Sequence, residues 1–298
     1  MDVWQAIGFT ETSELVALAQ EAELCGYAGV ALPDHLVTPG AIESPYPYTR
    51  DGRIWWDPRT HMPDPLVMAG VIASHTTTLR LLTAVYVLPL HELFGVAKAV
   101  STVAYLAEDR LVLGAGVGWM AEEFALTGQP FANRGRRTDE MLEILSGLMR
   151  GGPLSHDGEF YRFDALSLAP VPERPVPVYV GGNSDAALRR AARHDGWLGA
   201  GHDPAELPAV VDRLLRYRRA EGLGEEDFDV VTYLTEVPQD LDVLRRLADA
   251  GVTGIVTPWF DWDQAHAPLT QKLDAIRRFA DDYARPLREI GSTAPSLR

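Results

Sequence analysis

Cysteine is nearly absent from this chain: Cys25 is the only one. No intrachain disulfide can form, and nothing points to an oxidising compartment. Cys25 itself lies near the end of an amphipathic stretch, where a small buried hydrophobe is the expected role. Long apolar runs are missing too, and none approaches the ~20 residues that a membrane-spanning helix needs. The opening Met1-Asp-Val-Trp-Gln-Ala-Ile7 is acidic and lacks the basic flank and apolar core of a secretory signal. A cytoplasmic location is the expectation. Positive charge is scarce: 27 Lys and Arg stand against 42 Asp and Glu, a formal net charge of −15. That balance argues against nucleic acid or an anionic membrane as partner, and leaves a small-molecule substrate.

Several catalytic signatures are absent as well. There is no G-x-S-x-G elbow and no Walker loop, which removes the commonest hydrolase and NTPase readings. The histidines at 35, 61, 75, 91, 156, 194, 202 and 266 make no H-E-x-x-H spacing, and no cysteine joins them, so no metal is expected. Gly114, Gly116 and Gly118 alternate. However, the third glycine of the dinucleotide fingerprint would fall at Trp119, and no acidic residue ends the next strand. No solenoid period appears, and no linker separates two cores.

What is present is a regular alternation of strand and helix patterns. Leu79–Pro89 and Arg110–Trp119 are short apolar runs of the kind buried on both faces in a parallel sheet. Between them Phe94, Ala97, Ser101, Ala104 and Tyr105 recur at helical spacing, giving a strand–helix–strand unit. Further strands are read at Val3–Phe9, Tyr27–Leu32, Val176–Val180, Trp197–Ala200, Asp229–Glu236 and Gly254–Pro258. Helices are read after each, from one capped by Thr12 or Ser13 (with Leu15, Ala19, Ala22 and Leu24 near one face) to a closing Gln271–Ile290. The count predicts a (β/α)8 barrel over residues 1–291 as one domain, with a frayed tail at 292–298. A doubly wound open sheet is the runner-up. Two stretches interrupt the rhythm. Residues 36–62, after the second strand, hold Pro, Gly, Tyr, Arg and the Trp55-Trp56 pair, and read as a functional loop or lid. Phe160–Val171, before the fifth strand, reads as an irregular insertion.

Candidate site residues sit where strands end. In α/β proteins ligands dock beyond the carboxyl ends of strands, and glycines leave the backbone bare there. Asp34-His35 closes the second strand; a rim histidine can pass protons and an adjacent carboxylate can tune it. Gly181-Gly-Asn-Ser184 runs from a strand into a helix, where Asn183 or Ser184 can cap and free N–H groups can meet a phosphate. Asp185 in the first turn counts against that phosphate, and a capped helix without ligand fits the same residues. Arg134, Arg136 and Arg137 read as intrahelical ion-pair partners of Asp139, Glu140 and Glu143. Trp55, Trp56 and Trp119 are core or ring-stacking residues, with stacking favoured for the pair.

Taken together these residues resemble the bacterial luciferase-like family of flavin- and deazaflavin-dependent oxidoreductases, and most closely its branch that uses coenzyme F420. The matching pieces include Leu32-Pro-Asp-His35, Leu79–Pro89, Ala97-Lys98, Arg110–Trp119, Glu123-Phe, Arg134-Gly, Val180–Ser184, Ala187–Ala192 and Asp195-Gly-Trp197. They lie in the family's order over about two-thirds of the chain. The resemblance implies a barrel with the cofactor ring at its carboxyl-end mouth and a non-prolyl cis peptide at or near Ala84–Val85. It carries cofactor contacts over to Asp34, Thr83, Ala84, Val85, Gly116, Val117, Gly118, Trp119, Gly181, Gly182, Asn183 and Ser184, and the catalytic histidine to His35. It also implies a homodimer. Members that oxidise a sugar phosphate carry an acidic residue where this chain has Trp119, which speaks against that substrate. F420-dependent hydride transfer is thus the leading expectation. An FMN-dependent monooxygenase using oxygen is the alternative, and a non-catalytic ligand- or cofactor-binding barrel is the third.

Overall fold

Strand patterns that are apolar on both faces need partners on both sides, and here they find them by closing. The computed structural model describes residues 1–234, 240–258 and 267–287. Within these, eight parallel strands run in chain order: β1 (Asp2–Ala6), β2 (Gly29–Leu32), β3 (Arg80–Thr83), β4 (Leu111–Gly116), β5 (Val178–Gly181), β6 (Gly196–His202), β7 (Asp229–Leu234) and β8 (Gly254–Thr257). Each pairs with the next, and β8 pairs back to β1 with Val3 opposite Ile255. The sheet is a closed (β/α)8 barrel, not an open one.

Side chains alternate across each strand, so one set fills the barrel and the other meets the helices. The inner set takes one buried residue from every strand: Trp4, Ala31, Leu82, Val112, Tyr179, Leu198, Val231 and Val256. The outer set, with Val30, Leu81, Leu113 and Val180, joins the larger core under the helices. Those are α1 (Leu15–Cys25), α2 (Pro65–Ala73), α3 (Leu93–Leu106), α4 (Ala121–Leu126), α5 (Arg134–Met149), α6 (Asp185–Ala191), α7 (Leu207–Ala220), α8 (Leu241–Asp249) and α9 (Leu269–Phe279). Their ends follow local chemistry. Asp64 accepts hydrogen bonds from the Leu66 and Val67 N–H groups at 2.9 Å each and starts α2 ahead of Pro65. Among the described residues no helix is long and apolar enough to cross a membrane.

Several local expectations are corrected. Thr12 and Ser13 do not cap α1 but form a tight turn ahead of it, and Leu24 is 81% exposed. On α3 the buried face is Leu93, Val96, Ala97, Val100, Ser101 and Ala104, whereas Phe94 and Tyr105 are exposed. Amphipathic spacing fixes a stripe's period but tolerates a large residue at its margin. The stretch before β5 is irregular only in its later part, 167–177, which has neither strand nor helix; ahead of it Leu154–Asp157 and Arg162–Leu166 form an antiparallel hairpin. Glu140 of α5 holds it, accepting from the Phe160 and Tyr161 N–H groups at 2.9 and 2.8 Å and meeting His156 Nε2 at 3.1 Å. Among the described residues the arginines of α5 bond outside their helix and not to Asp139, Glu140 or Glu143: Arg136 pairs with Glu159, and Asp139 with Arg190 and Arg193. Arg137 donates to the Pro89 carbonyl at 2.7 Å, and Arg134 to the Gly118 carbonyl at 3.1 Å. The ends of the predicted strand at 235–236 and helix at 288–290, the tail at 292–298, and His266 lie outside the described residues.

Candidate active site

Because all eight strands are parallel, their carboxyl ends share one mouth. Asp34 and His35 follow β2, Ala84 and Val85 follow β3, Gly116 ends β4, and Gly181 ends β5. The residues picked out from sequence therefore converge on one end of the barrel. A cis peptide joins Ala84 to Val85, the position that the resemblance implies. Beyond it Tyr86 and Val87 pair with Ala115 and Gly116, so the third strand resumes beside β4 after a bulge.

Val85 explains two of the glycines. A Cβ on Gly116 would strike Val85 Cγ2, and one on Gly181 would strike Val85 Cγ1. The bare backbone at these two positions is thus covered by the valine of the bulge, not left open for a ligand. Thr83 is fully buried and spends its hydroxyl on the Gly114 carbonyl at 2.9 Å. Gly118 has φ +78° and is followed by half-buried Trp119.

Asp34 and His35 are neighbours in sequence but face different partners. The Asp34 carboxylate is buried, accepts from the Val87 N–H at 2.8 Å, and meets His91 Nε2 at 3.1 Å. It pins the resumed third strand and does not touch His35. The partner of His35 is Glu123 of α4, whose Oε2 lies 2.9 Å from Nδ1. Glu123 is 2% exposed. Its other oxygen accepts from the Leu36 and Val37 N–H groups at 2.7 and 3.3 Å. A carboxylate oxygen can only accept, so Nδ1 carries the hydrogen and Nε2 is left as the available nitrogen. The adjacent Glu122 binds the same loop, accepting from the Glu43 and Ser44 N–H groups at 2.7 and 3.0 Å. Burial opposes its charge, but these hydrogen bonds prevail and hold its pKa below the usual glutamate value. The two carboxylates tie the start of the 36–62 loop to the turn after β4.

That loop brings rings over the mouth. His35, Trp56, Tyr46 and Trp119 form a closed cycle with centroid distances of 5.4, 5.2, 5.1 and 5.8 Å. Phe9, after β1, backs Trp56 at 5.4 Å. Burial, then the neighbouring Tyr48, pushes the Tyr46 hydroxyl up to about 12.

At the end of β5, Ser184 caps α6 by accepting from the Ala187 N–H at 3.2 Å. Asn183 does not cap. Its Oδ1 accepts from the Ala200 N–H at 3.2 Å and lies 3.0 Å from His202 Nε2. Burial, then Arg213, keeps the His202 pKa low. Asp185 is occupied too, accepting from the Tyr217 hydroxyl at 2.8 Å and facing Arg213 at 3.5 Å. Among the described residues no three His, Cys, Asp or Glu gather as a metal site.

The sequence pattern of the luciferase-like monooxygenases matches residues 4–291. The chain belongs to this family. An uncharacterized protein of Mycobacterium tuberculosis is 35% identical over 281 residues, 93% of this chain and 96% of that protein. An F420-dependent glucose-6-phosphate dehydrogenase of Nakamurella multipartita is 31% identical over 190 residues, 62% of this chain and 51% of that protein. Among solved structures, an F420-dependent secondary alcohol dehydrogenase in complex with an F420–acetone adduct has a TM-score of 0.75 at 13% identity. That alignment covers 94% of this chain and 97% of the other, and shows the luciferase-like fold.

In this luciferase-like barrel, two contributors to the mouth went unassigned in the sequence. Glu123 stands 88 residues from His35, and the sequence offered it only within the Glu123-Phe piece of the resemblance, with no role. Phe9 looks like a strand end, yet its φ of +58° turns the chain at the rim.

Proposed function

We propose that the protein is an oxidoreductase that moves a hydride between a small organic substrate and coenzyme F420 at the barrel mouth. The observation that carries this reading is the His35–Glu123 pair, a proton-handling group held among indole rings at the carboxyl-end mouth. The 31% identity to an F420-dependent dehydrogenase supports the cofactor. The described residues fit such a group. Val85 in the bulge of the third strand presents an apolar surface over the ends of β4 and β5. Val117, Gly118 and Trp119 follow β4 at the same mouth. The turn at Asn183 and Ser184, which opens α6, would meet the phosphate, Gly181 itself being covered by Val85. When bound, a deazaflavin supplies hydride chemistry at carbon without activating oxygen.

The chain's own residues then have separate tasks. Glu123 fixes the His35 tautomer, and Nε2 gives or takes the proton that accompanies making or consuming a carbonyl. Trp56, Trp119 and Tyr46 limit water at that nitrogen. Asp34 holds the third strand in place from below. An FMN monooxygenase is the second reading, favoured by the family's name and by the same shielded mouth. A homodimer belongs to the proposal through the family resemblance, and the exposed Val67 and Val71 on α2 accord with it. Calorimetric titration with F420 and with FMN tests the choice of cofactor. Tighter F420 binding is expected; micromolar FMN affinity with no response to F420 would refute it.

A further inference from the structure

His91 takes part in no motif, yet it stands where the third strand resumes. A tight helical turn over Leu88–Leu90 folds the chain back after Val87, and the His91 N–H donates to the Leu88 carbonyl at 3.1 Å. Arg137 of α5, 5% exposed, donates to the Pro89 and His91 carbonyls at 2.7 and 3.4 Å. The backbone that carries the imidazole is therefore fixed from a separate helix.

From that place His91 reaches the anchors of two consecutive residues beside Val85. The Tyr86 ring stacks on the imidazole, with centroids 4.2 Å apart and planes inclined by 19°. The Val87 N–H donates to the Asp34 carboxylate at 2.8 Å, and the same oxygen meets His91 Nε2 at 3.1 Å. A carboxylate only accepts, so Nε2 carries its hydrogen toward Asp34. Among the described residues His91 is the only side chain bonded to Asp34, whose own side chain is 4% exposed. A buried carboxylate holds its position only where donors replace its lost hydration. Without His91 the Asp34 anion would keep one backbone N–H, and turning toward water would release Val87.

We propose that His91 is a positioning residue: by donating to Asp34 it keeps Val87, and with it the Val85 bulge, in register over Gly116 and Gly181. Its ring is spent on Asp34 and Tyr86, so it acts through them and not on a substrate. The proposal rests on the reading above only in taking the bulge as the apolar bed of the cofactor.

Two variants separate the donor from the space that the ring fills. His91→Gln keeps an N–H and loses the ring, whereas His91→Phe keeps a ring for Tyr86 and loses the donor. In protein isotopically labelled at valine nitrogen, the Val85 and Val87 amide resonances should stay near their wild-type positions in the Gln variant and move in the Phe variant. Calorimetric titration with F420 should give an affinity within about two-fold of wild type for Gln and about ten-fold weaker for Phe. A space-filling role gives the reverse order, with Phe tolerated and Gln not, and that result would overturn the proposal. So would wild-type amide positions in the Phe variant.

Should His91→Phe not fold, Asp34→Asn is compared with Asp34→Asn/His91→Phe, in which no lone charge is buried. The two should agree in amide positions and, to about two-fold, in F420 affinity, because His91 no longer has a carboxylate to hold. A further loss of about ten-fold in the double variant would mean that His91 acts other than through Asp34, and would overturn the proposal. The resonances need no cofactor, which separates the two readings. Valines that respond as stated in a protein that does not bind F420 would sink the cofactor assignment alone. F420 binding by wild type, with valines unmoved in the Phe variant, would sink this inference alone.

Discussion

Glu123 offers the sharpest perturbation, because one carboxylate holds both a loop backbone and the histidine proposed to move the proton. Its Oε1 receives the Leu36 and Val37 N–H groups at 2.7 and 3.3 Å, and its Oε2 meets His35 Nδ1 at 2.9 Å. Glu123→Ala removes the acceptor of two backbone N–H groups in part-buried hydrogen bonds. Hydrogen bonds to a charged group contribute ~1.5–3 kcal/mol each, and the longer of the two lies at the weak end, so a loss of roughly 3 kcal/mol is expected. For a chain of this size that corresponds to a fall in Tm of roughly 5 °C. Glu123→Gln differs in kind. Its amide oxygen still accepts from Leu36, but its NH2 now faces His35 Nδ1, which must become the acceptor and send its hydrogen to Nε2. The Gln variant should keep Tm within roughly 3 °C of wild type and lose roughly 10²-fold in single-turnover rate, the lower end of what a positioned acid or base contributes. Differential scanning calorimetry and stopped-flow absorbance read the two effects separately. Equal melting losses for Ala and Gln, or an unchanged rate in Gln, would refute the reasoning.

Two further outcomes follow from the same geometry. Gly182 has φ +116° and a would-be Cβ 3.0 Å from Ala187 Cβ, so any side chain there is strained. The comparison that isolates a phosphate is therefore Gly182→Asp against Gly182→Ala, and the carboxylate should cost an additional ~1–3 kcal/mol of F420 affinity by titration. Glu140, which holds the hairpin before β5, is destabilised as an anion by burial but more strongly favoured by hydrogen bonds from Phe160, Tyr161 and His156, so its pKa is lowered. A lowered folded-state pKa gives stability that is present above the ordinary glutamate value and lost as pH falls through the folded one. Melting temperature should accordingly drop as the pH is taken below about 4.5, and less steeply in Glu140→Gln.

The architecture was legible because strand and helix periods are local properties. Eight apolar runs closed by Gly or Pro, each followed by a helical stripe, leave few alternatives to a barrel, and the residues at their carboxyl ends had to meet. Side-chain partners were not legible. Asp34 and His35 look like a coupled pair in sequence, but consecutive residues leaving a strand point apart, so one met His91 and the other Glu123. Gly116 and Gly181 look like room for a ligand, and only the bulge at Val85 shows whose side chain fills that room. The hairpin at 154–166 was hidden because its two strands are short, half exposed and charged, and so carry no apolar alternation.

The central claim, as proposed, is that His35 moves a proton while F420 exchanges a hydride with a small organic substrate at this mouth. Single-turnover oxidation of reduced F420 by a carbonyl substrate, followed by the return of the oxidised cofactor's absorbance, tests it most directly. Wild type should turn over, and His35→Ala should be slower by roughly 10²–10⁴-fold with far less change in cofactor affinity. Equal rates in the two proteins, or turnover only with reduced FMN and oxygen, would contradict the account.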